Sequence, residues 1–514
     1  MTVLLECRNL TKEYGDVTVL KNVNLKIKQG EKLGIVGVNG AGKTTLANII
    51  TGNETYDGSL LWQRDNVSTG YMKQSNQYFE DYKTLSGGER TRKLLNEVFF
   101  KNYQLLILDE PTNHLDFLGV TWLIKKVNSY KGTIIMISHD RYFLDQCTER
   151  IVEIENHNVK SYNGNYSFYR QQKKEEFENA LHQYEEQEKT RLKIEGEISQ
   201  LKNWAEKAHN KTRSSGNKFG VKEYFRAKAK KKDIQVRSRL KRLEKMRVTG
   251  YKKPEEEQKL WFKLEDAGKA GTTVLRARNI SMAYGKKTLF RKASFYINKG
   301  EKIGLYGVNG CGKTTLIKAI MGEIEIDGDL YVSSGRKIGY ISQDVEGLNE
   351  DTRVSELFKD RQELYSFGFE DKDLDKKIGV LSLGERMKLK LLTMIRDQCD
   401  VLILDEPTNH IDLHVREQLE DMLLGYDGTI ILVSHDRYMM EKICDRLLVF
   451  KNKTILRYEY GINEYLKKGQ PSKEDRMILE NRIACVLGKL SESAAGSEEY
   501  MELDEEYKRL LAER

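Results

Sequence analysis

"GVNGAGKTTL", residues 37–46, decides the fold, and the chain writes it twice: "GVNGCGKTTL" stands at 307–316, 270 positions later. Gly37, Gly40 and Gly42 let the backbone curl with its N–H groups turned inward around a phosphate. The helix that opens after Gly42 adds the positive end of its dipole. Lys43 is placed to reach the β- and γ-phosphates of a nucleotide, and the Thr44 hydroxyl to bind Mg²⁺. Asn39 and Thr45 complete the loop. Gly307, Asn309, Gly310, Gly312, Lys313, Thr314 and Thr315 repeat the set.

The repeat extends well beyond this loop. Tyr14 and Tyr284 are 270 apart, and Gln74 and Gln343 are 269 apart. Ser86 and Ser382, Asp109 and Asp405, and His139 and His435 are each 296 apart. The two halves are therefore one fold used twice, with a single length change: 38 residues lie between Gln and Ser in the second half and 11 in the first. Each half reads as α/β. "EKLGIVGV" is a strand feeding the phosphate loop and a helix, and "QLLILDE" and "TIIMISHD" are apolar runs of the kind buried in a parallel sheet.

"LLILDEPTNHLD" (105–116) and "VLILDEPTNHID" (401–412) each end a strand in Asp-Glu. Asp109 and Asp405 are candidates for the Mg²⁺ shell. Glu110 and Glu406, beside them, are placed to polarise an attacking water.

Composition narrows the class. No apolar run approaches the roughly 20 residues of a membrane helix, and "MTVLLECRNL" lacks the regions of a secretory signal. Six scattered cysteines show no CxxC pair, which fits reduced thiols in a cytoplasmic chain. The net charge is +8, yet residues 201–250 hold 17 Lys or Arg against 4 Asp or Glu, so the rest of the chain sums to −5. Such asymmetry points to one local contact with a polyanion.

"LSGGER" (85–90) resembles the signature of ATP-binding cassette (ABC) proteins, "SHDRYF" and "SHDRYM" match their switch histidines His139 and His435, Tyr14 and Tyr284 match the adenine-stacking aromatic, and Gln74 and Gln343 match the glutamine that senses metal and water. The resemblance covers residues 1–170 and 271–465. It implies that each ATP lies between two cassettes, on one cassette's phosphate loop and under the other's signature. Site one would pair Lys43, Asp109 and Glu110 with Ser382 and Gly384. Site two would pair Lys313, Asp405 and Glu406 with Ser86, Gly87 and Gly88. The second signature reads "LSLGER", so Leu383 stands where glycine is usual and the two sites could hydrolyse unequally.

The connector is read as a helical hairpin. Apolar residues at 177, 181, 184, 194, 198, 201, 205 and 208 follow an alternating 3–4 register, interrupted by Gln187 and Arg191. A second run carries Phe225, Ala229, Val236, Leu240 and Leu243, and "NKTRSSGNKFG" (210–220) between them reads as a loop. The first arm is expected to span about 40 residues, roughly 60 Å. Lys211, Arg213, Lys218, Phe219, Tyr224, Arg226, Lys228, Lys230, Lys231 and Lys232 mix basic and aromatic side chains, a combination suited to RNA phosphates and unpaired bases.

Two cassettes, a long helical connector and the repeated "LDEPTNHLD" resemble the ABC-F translation factors, and the connector is similar to that of their antibiotic-resistance members of the Vga and VmlR type. The expected division is a first ABC ATPase domain at 1–168, a hairpin linker at 169–262 with its tip near 209–221, a second ABC domain at 271–468, and a helical C-terminal extension at 472–514. The resemblance implies ATP and Mg²⁺ as cofactors. It implies the 70S ribosome as partner, through the E site, with the linker reaching 23S rRNA near the peptidyl-transferase centre and P-site tRNA. It also implies a monomer off the ribosome with no membrane partner. Three functions remain open: ribosome protection against lincosamides, pleuromutilins and streptogramin A; a housekeeping factor for stalled ribosomes; and the ATPase subunit of an exporter. The shortened gap before Ser86 argues against the last, because transporter ATPases dock membrane partners through that region.

Overall fold

A computed structural model of the chain describes residues 2–64, 66–73, 87–214, 219–251, 253, 273–285, 287–342, 345, 347–358, 361–367, 369–408, 411 and 413–468, with the backbone path alone at 205–206, 208–214, 219–227, 229, 248–249, 366 and 414. The first half runs β1 (Val3–Tyr14), β2 (Val17–Lys28), β3 (Lys32–Val36), α1 (Lys43–Ile50), β4 (Asp57–Trp62), β5 (Thr69–Met72), α2 (Gly87–Phe100), β6 (Leu105–Asp109), α3 (Phe117–Ser129), β7 (Thr133–Ile137), α4 (Arg141–Cys147), β8 (Arg150–Glu155) and β9 (Asn158–Asn163). Two long helices follow, α5 (Tyr166–Ser214) and α6 (Phe219–Thr249). The second half then runs β10 (Thr273–Tyr284), β11 (Lys287–Asn298), β12 (Lys302–Tyr306), α7 (Lys313–Ile320), β13 (Asp327–Val332), β14 (Ile338–Ile341), α8 (Val354–Leu357), α9 (Arg361–Ser366), α10 (Asp371–Leu374), α11 (Leu383–Arg396), β15 (Val401–Asp405), α12 (Leu413–Leu424), β16 (Thr429–Val433), α13 (Arg437–Ile443), β17 (Arg446–Lys451), β18 (Thr454–Tyr458) and α14 (Ile462–Lys468).

Each half pairs a three-stranded antiparallel sheet, ordered β2-β1-β4 or β11-β10-β13, with a six-stranded sheet ordered β5-β6-β7-β3-β8-β9 or β14-β15-β16-β12-β17-β18. The large sheets are parallel except for their last strand. Every residue of β6 and β7 is buried because both faces are covered. Leu105 and Ile107 pack toward α1 and the small sheet, while Leu106 and Leu108 pack toward the helices on the other face. The carboxyl ends of β3, β6 and β7 converge, which is where an open α/β sheet binds ligands. In the second half, the longer gap before Ser382 folds as α8, α9, α10 and a 3-10 turn around Phe358, Leu364, Phe367 and Phe369. The matching 11 residues of the first half lie outside the described residues, as does 472–514.

The hairpin departs from the expected loop. α5 has 49 residues, about 74 Å at the helical rise, and continues to Ser214; α6 resumes at Phe219. Lys211, Arg213 and Phe219 therefore lie on helix rather than in a loop at 210–220. Once a long helix is nucleated, each further residue adds a hydrogen bond, so scattered Ser, Asn and Thr do not stop it. Lys218 lies outside the described residues, and Tyr224 and Arg226 lie along α6. Ile194 and Ile198 are buried in the seam. The polar interruptions have partners: Gln187 accepts from the Tyr251 N–H at 2.6 Å, and Arg191 pairs with Glu188 and Glu195 at 2.8 and 2.9 Å. The root of α5 is anchored on β8, where buried Glu153 accepts from Tyr169 at 2.7 Å and from Tyr162 at 3.2 Å.

The halves meet about a pseudo-twofold axis. The Arg141 guanidinium sits 5.2 Å from the Tyr438 ring centroid, and its repeat partner Arg437 sits 4.5 Å from the Tyr142 ring. One charge, Glu420, breaks this symmetry. Arg141 forms a buried fork with Glu420 and reaches Asp436 at 3.1 Å, while Ile124 occupies the position aligned with Glu420. Among the described residues no helix is long and apolar enough to cross a membrane.

Replacing Ile194 and Ile198 together by Asn should open the seam at a cost on the order of 2–5 kcal/mol per site. Limited proteolysis is expected to gain cuts inside α5 and α6 while both cassettes resist. An unchanged digestion pattern would show that these isoleucines do not hold the arms together.

Candidate active sites

Both phosphate loops turn through left-handed glycines. Gly42 (φ 101°) and Gly312 (φ 109°) stand at the N-termini of α1 and α7, and a Cβ on Gly42 would lie 2.8 Å from Val19. A Cβ on Gly37 would lie 2.5 Å from the Ile154 carbonyl oxygen, so that position admits no side chain. Lys43 Nζ donates to the carbonyls of Gly37 (2.7 Å) and Val38 (3.0 Å), folding over its own loop; Lys313 does the same to Gly307 (2.8 Å) and Val308 (3.4 Å).

Hard oxygen donors converge beside each lysine. Thr44 Oγ1 donates to Asp109 Oδ2 at 3.1 Å, and Thr314 Oγ1 to Asp405 Oδ2 at 2.9 Å. The Tyr71 hydroxyl joins Asp109 at 3.1 Å. Burial raises both aspartates above their ordinary value, against the pull of the neighbouring hydroxyls and lysines. A hydroxyl and a buried carboxylate in contact suit a hard divalent cation.

Glu110 and Glu406 occupy the left-handed backbone region, at φ 51° and 52°, which costs a residue with a Cβ. The sheet holds them there: Glu110 N donates to Ile137 O at 2.8 Å and Glu406 N to Val433 O at 2.9 Å. Each carboxylate accepts from a histidine backbone N–H, His139 at 3.3 Å and His435 at 3.2 Å, and faces that histidine's Nε2 at 3.6 and 3.4 Å. Burial pushes both glutamates up to about 7, against Arg416 for Glu110 and Lys313 for Glu406. Burial also holds His139 well below its ordinary value and takes His435 down to about 3, with the loop lysines adding repulsion. One oxygen of each glutamate, Oε1, is buried without a hydrogen-bond partner among the described residues.

The two sites differ in how the opposite cassette contributes. Around Lys313, a cavity of about 460 Å³ is lined by Tyr284, Asp405, Glu406 and His435 from the second cassette and by Gly87, Gly88 and His114 from the first. Asn309 bridges the interface: its side chain donates to His114 O at 3.1 Å, its Oδ1 lies 2.8 Å from His435 Nε2, and its N–H donates to Asp116 at 3.4 Å. Around Lys43, a cavity of about 390 Å³ includes Asn39, Gly40, Thr45, Asp109, Glu110 and His139, and only Arg416 comes from the second cassette. Ser382 caps α11, accepting from Glu385 N at 3.3 Å, and Gly384 is buried against Val415; neither lines this cavity. Tyr14 is exposed at the end of β1 and is not part of the site-one lining, whereas Tyr284 lines site two. Thr315 and Gly310 belong to the site-two lining. Gln74, Gln343 and Ser86 lie outside the described residues.

Sequence reasoning missed Tyr71, Asn113 and Arg416. The repeat offers a signal for Tyr71, since Tyr340 stands 269 residues on. Arg416 has no such signal, because Val120 occupies the aligned position.

Two nucleotide sites sharing one interface define the class: a tandem ATP-binding cassette enzyme, which hydrolyses ATP. A family model described as ABC transporter matches residues 20–80 and 290–409, and a second with the same description matches 152–215. The ribosome protection protein VmlR of Bacillus subtilis is 37% identical over 99% of this chain and 97% of its own. ABC transporter F family member 5 of Arabidopsis thaliana is 29% identical over 93% of this chain and 79% of its own. The fold is also that of an archaeal ribosome recycling factor crystallised with a stalk protein, at a TM-score of 0.58 and 18% identity, covering 92% of this chain and 98% of that one. The chain belongs to the ABC-F family of ATPases.

Replacing Glu110 and Glu406 together by Gln should leave nucleotide binding intact and cut turnover by roughly 10²–10⁴-fold, the range of a general base. Phosphate release and equilibrium ATP binding measure the two effects separately. Turnover at the parent rate would remove these carboxylates from the chemistry.

Proposed function

We propose that the chain is a cytoplasmic ribosome-protection ATPase. It enters the E site of the 70S ribosome as a monomer, without a membrane partner. Its hairpin extends toward 23S rRNA at the peptidyl-transferase centre and P-site tRNA, dislodging lincosamide, pleuromutilin or streptogramin A antibiotics. Cassettes at 1–168 and 271–468 close on ATP, and hydrolysis frees them. The observation that carries this reading is the hairpin: a helix of 49 residues returns as α6, on which Lys228, Lys230 and Lys231 are exposed. Lys228 and Lys232 lie 5.5 and 5.9 Å from the Trp204 ring across the seam, which stiffens the basic stretch. Exposed lysines on a stiff arm suit phosphate contacts. The relative named as a ribosome protection protein aligns along almost the whole chain, hairpin included.

In each site the loop lysine and backbone amides hold the ATP phosphates. Mg²⁺ would be held by Thr44 and Asp109 with Gln74, and by Thr314 and Asp405 with Gln343, and would offset negative charge on the phosphates. Glu110 and Glu406 accept a proton from the attacking water. His139 and His435 set the carboxylate orientation through their N–H groups. Lys211, Arg213, Lys218 and Phe219 at the tip, with Tyr224 and Arg226 behind it, meet rRNA.

Removing residues 191–197 and 239–245, which face each other across the seam at Glu197 and Arg239, takes one heptad from each arm below the basic stretch and withdraws the intact tip by about 10 Å. Growth with a lincosamide, a pleuromutilin and a streptogramin A should show protection lost, while ATP turnover of the free protein persists. Full protection against all three would overturn the proposal that reach sets function.

A further inference from the structure

Arg416 is the side chain that crosses from the second cassette into the site-one cavity. It lies on α12, and only 12% of its side chain is exposed. Nε donates to Ile411 O at 3.2 Å, which fixes the guanidinium against its own cassette. Nη1 donates across the interface to the His139 carbonyl at 2.9 Å and lies 3.4 Å from Asp436 Oδ2. Asp436 is itself held by Arg141 of the first cassette at 3.1 Å and caps α13. His139 then gives its N–H to Glu110 at 3.3 Å. One unbroken chain of contacts therefore runs from α12 of the second cassette to the Glu110 carboxylate of the first.

Site two has no counterpart. The position aligned with Arg416 is Val120, which lines the site-two cavity as Arg416 lines site one. A valine offers no donor to the His435 carbonyl. The Arg416 side chain also borders the site-two cavity, but among the described residues its hydrogen bonds end on Ile411, His139 and Asp436, none of them on Glu406 or His435.

We propose that Arg416 is a positioning residue supplied in trans: it fixes the His139 backbone, and through it Glu110, so that hydrolysis in site one requires the cassettes to be docked. The inequality of the sites then comes from an arginine present in one half only. A guanidinium suits the role because it is rigid and rich in donors: Nε is held by Ile411 O while Nη1 serves both the His139 carbonyl and Asp436. Parting the cassettes withdraws the fork and leaves the His139 segment free to move. The proposal rests on Glu110 being the site-one base.

The full-length chain tests this in two backgrounds. Glu406→Gln isolates turnover at site one, and Glu110→Gln isolates it at site two. Arg416→Met is expected to lower site-one kcat by roughly 10–100-fold, the loss a misplaced reacting group produces, with KM for ATP little changed. Site-two kcat should stay close to its parent. Arg416→Lys, which keeps one donor within reach of the His139 carbonyl, should recover part of the site-one loss. Should Arg416→Met melt early, Arg416→Lys compared with Arg416→Gln gives the same reading, with Lys the faster at site one. Equal losses at both sites, or a change in KM with kcat preserved, would overturn the proposal and leave Arg416 as a docking contact. The double variant Glu110→Gln/Glu406→Gln separates the two claims: if it still turns over, the base assignment fails, whatever Arg416 does.

Discussion

A buried guanidinium holds the two cassettes in register. Arg141, at the start of α4, is 5% exposed and meets Glu420 and Asp436 of the other half. Burial alone would pull its pKa down, but the Asp436 and Glu420 charges outweigh it and hold the group above its ordinary value. The same pairing, with Arg416, keeps buried Asp436 below the usual carboxylate range. Replacing such a cluster by apolar residues is often neutral, whereas removing one partner costs about 3–5 kcal/mol because a buried charge is left alone. Its effect is therefore on geometry more than on net stability: one docking arrangement satisfies all the charges, and displaced arrangements do not.

That geometry makes the sites. Asn309, already joined to His435 within its own cassette, reaches the His114 carbonyl because the loop of the second cassette lies against the turn after β6 of the first. Gly88 is part of the same contact, since a Cβ there would lie 2.7 Å from the His114 carbonyl. Site two is thus closed by backbone and small residues, and site one by a single long charged side chain. The hairpin shares the anchorage. Arg170 near the root of α5 pairs with Glu417 of the second cassette at 2.6 Å, so the root of a helix about 74 Å long touches both cassettes.

The phosphate loops, the carboxylate pairs and the switch histidines were legible because their chemistry restricts residue type. Glycine is required at Gly37, where a Cβ would lie 2.5 Å from the Ile154 carbonyl oxygen, and the 296-residue offset repeats Asp109 and Glu110 at Asp405 and Glu406. Less legible was whatever depends on packing between distant segments. Arg141 and Arg437 belong to identical "SHDRY" strings, yet among the described residues only Arg141 finds a carboxylate fork, because Glu420 faces it and Ile124 occupies the mirrored place. Arg416 was invisible for the same reason: its importance lies in a difference between the halves, and a repeat reveals only their likeness. The end of α5 was misplaced because Ser, Gly and Asn content marks weak helix formers without saying where a long helix yields.

The central claim is that nucleotide state sets the distance between two cassettes that build each other's sites. A pulsed electron-spin distance measurement between labels at exposed Asn53 and Glu323, equivalent positions in the two halves, tests it most directly. One short, narrow distance is expected with ATP in the Glu110→Gln/Glu406→Gln chain, and a longer, broader one with ADP. Identical distributions with ATP, with ADP and without nucleotide would contradict it.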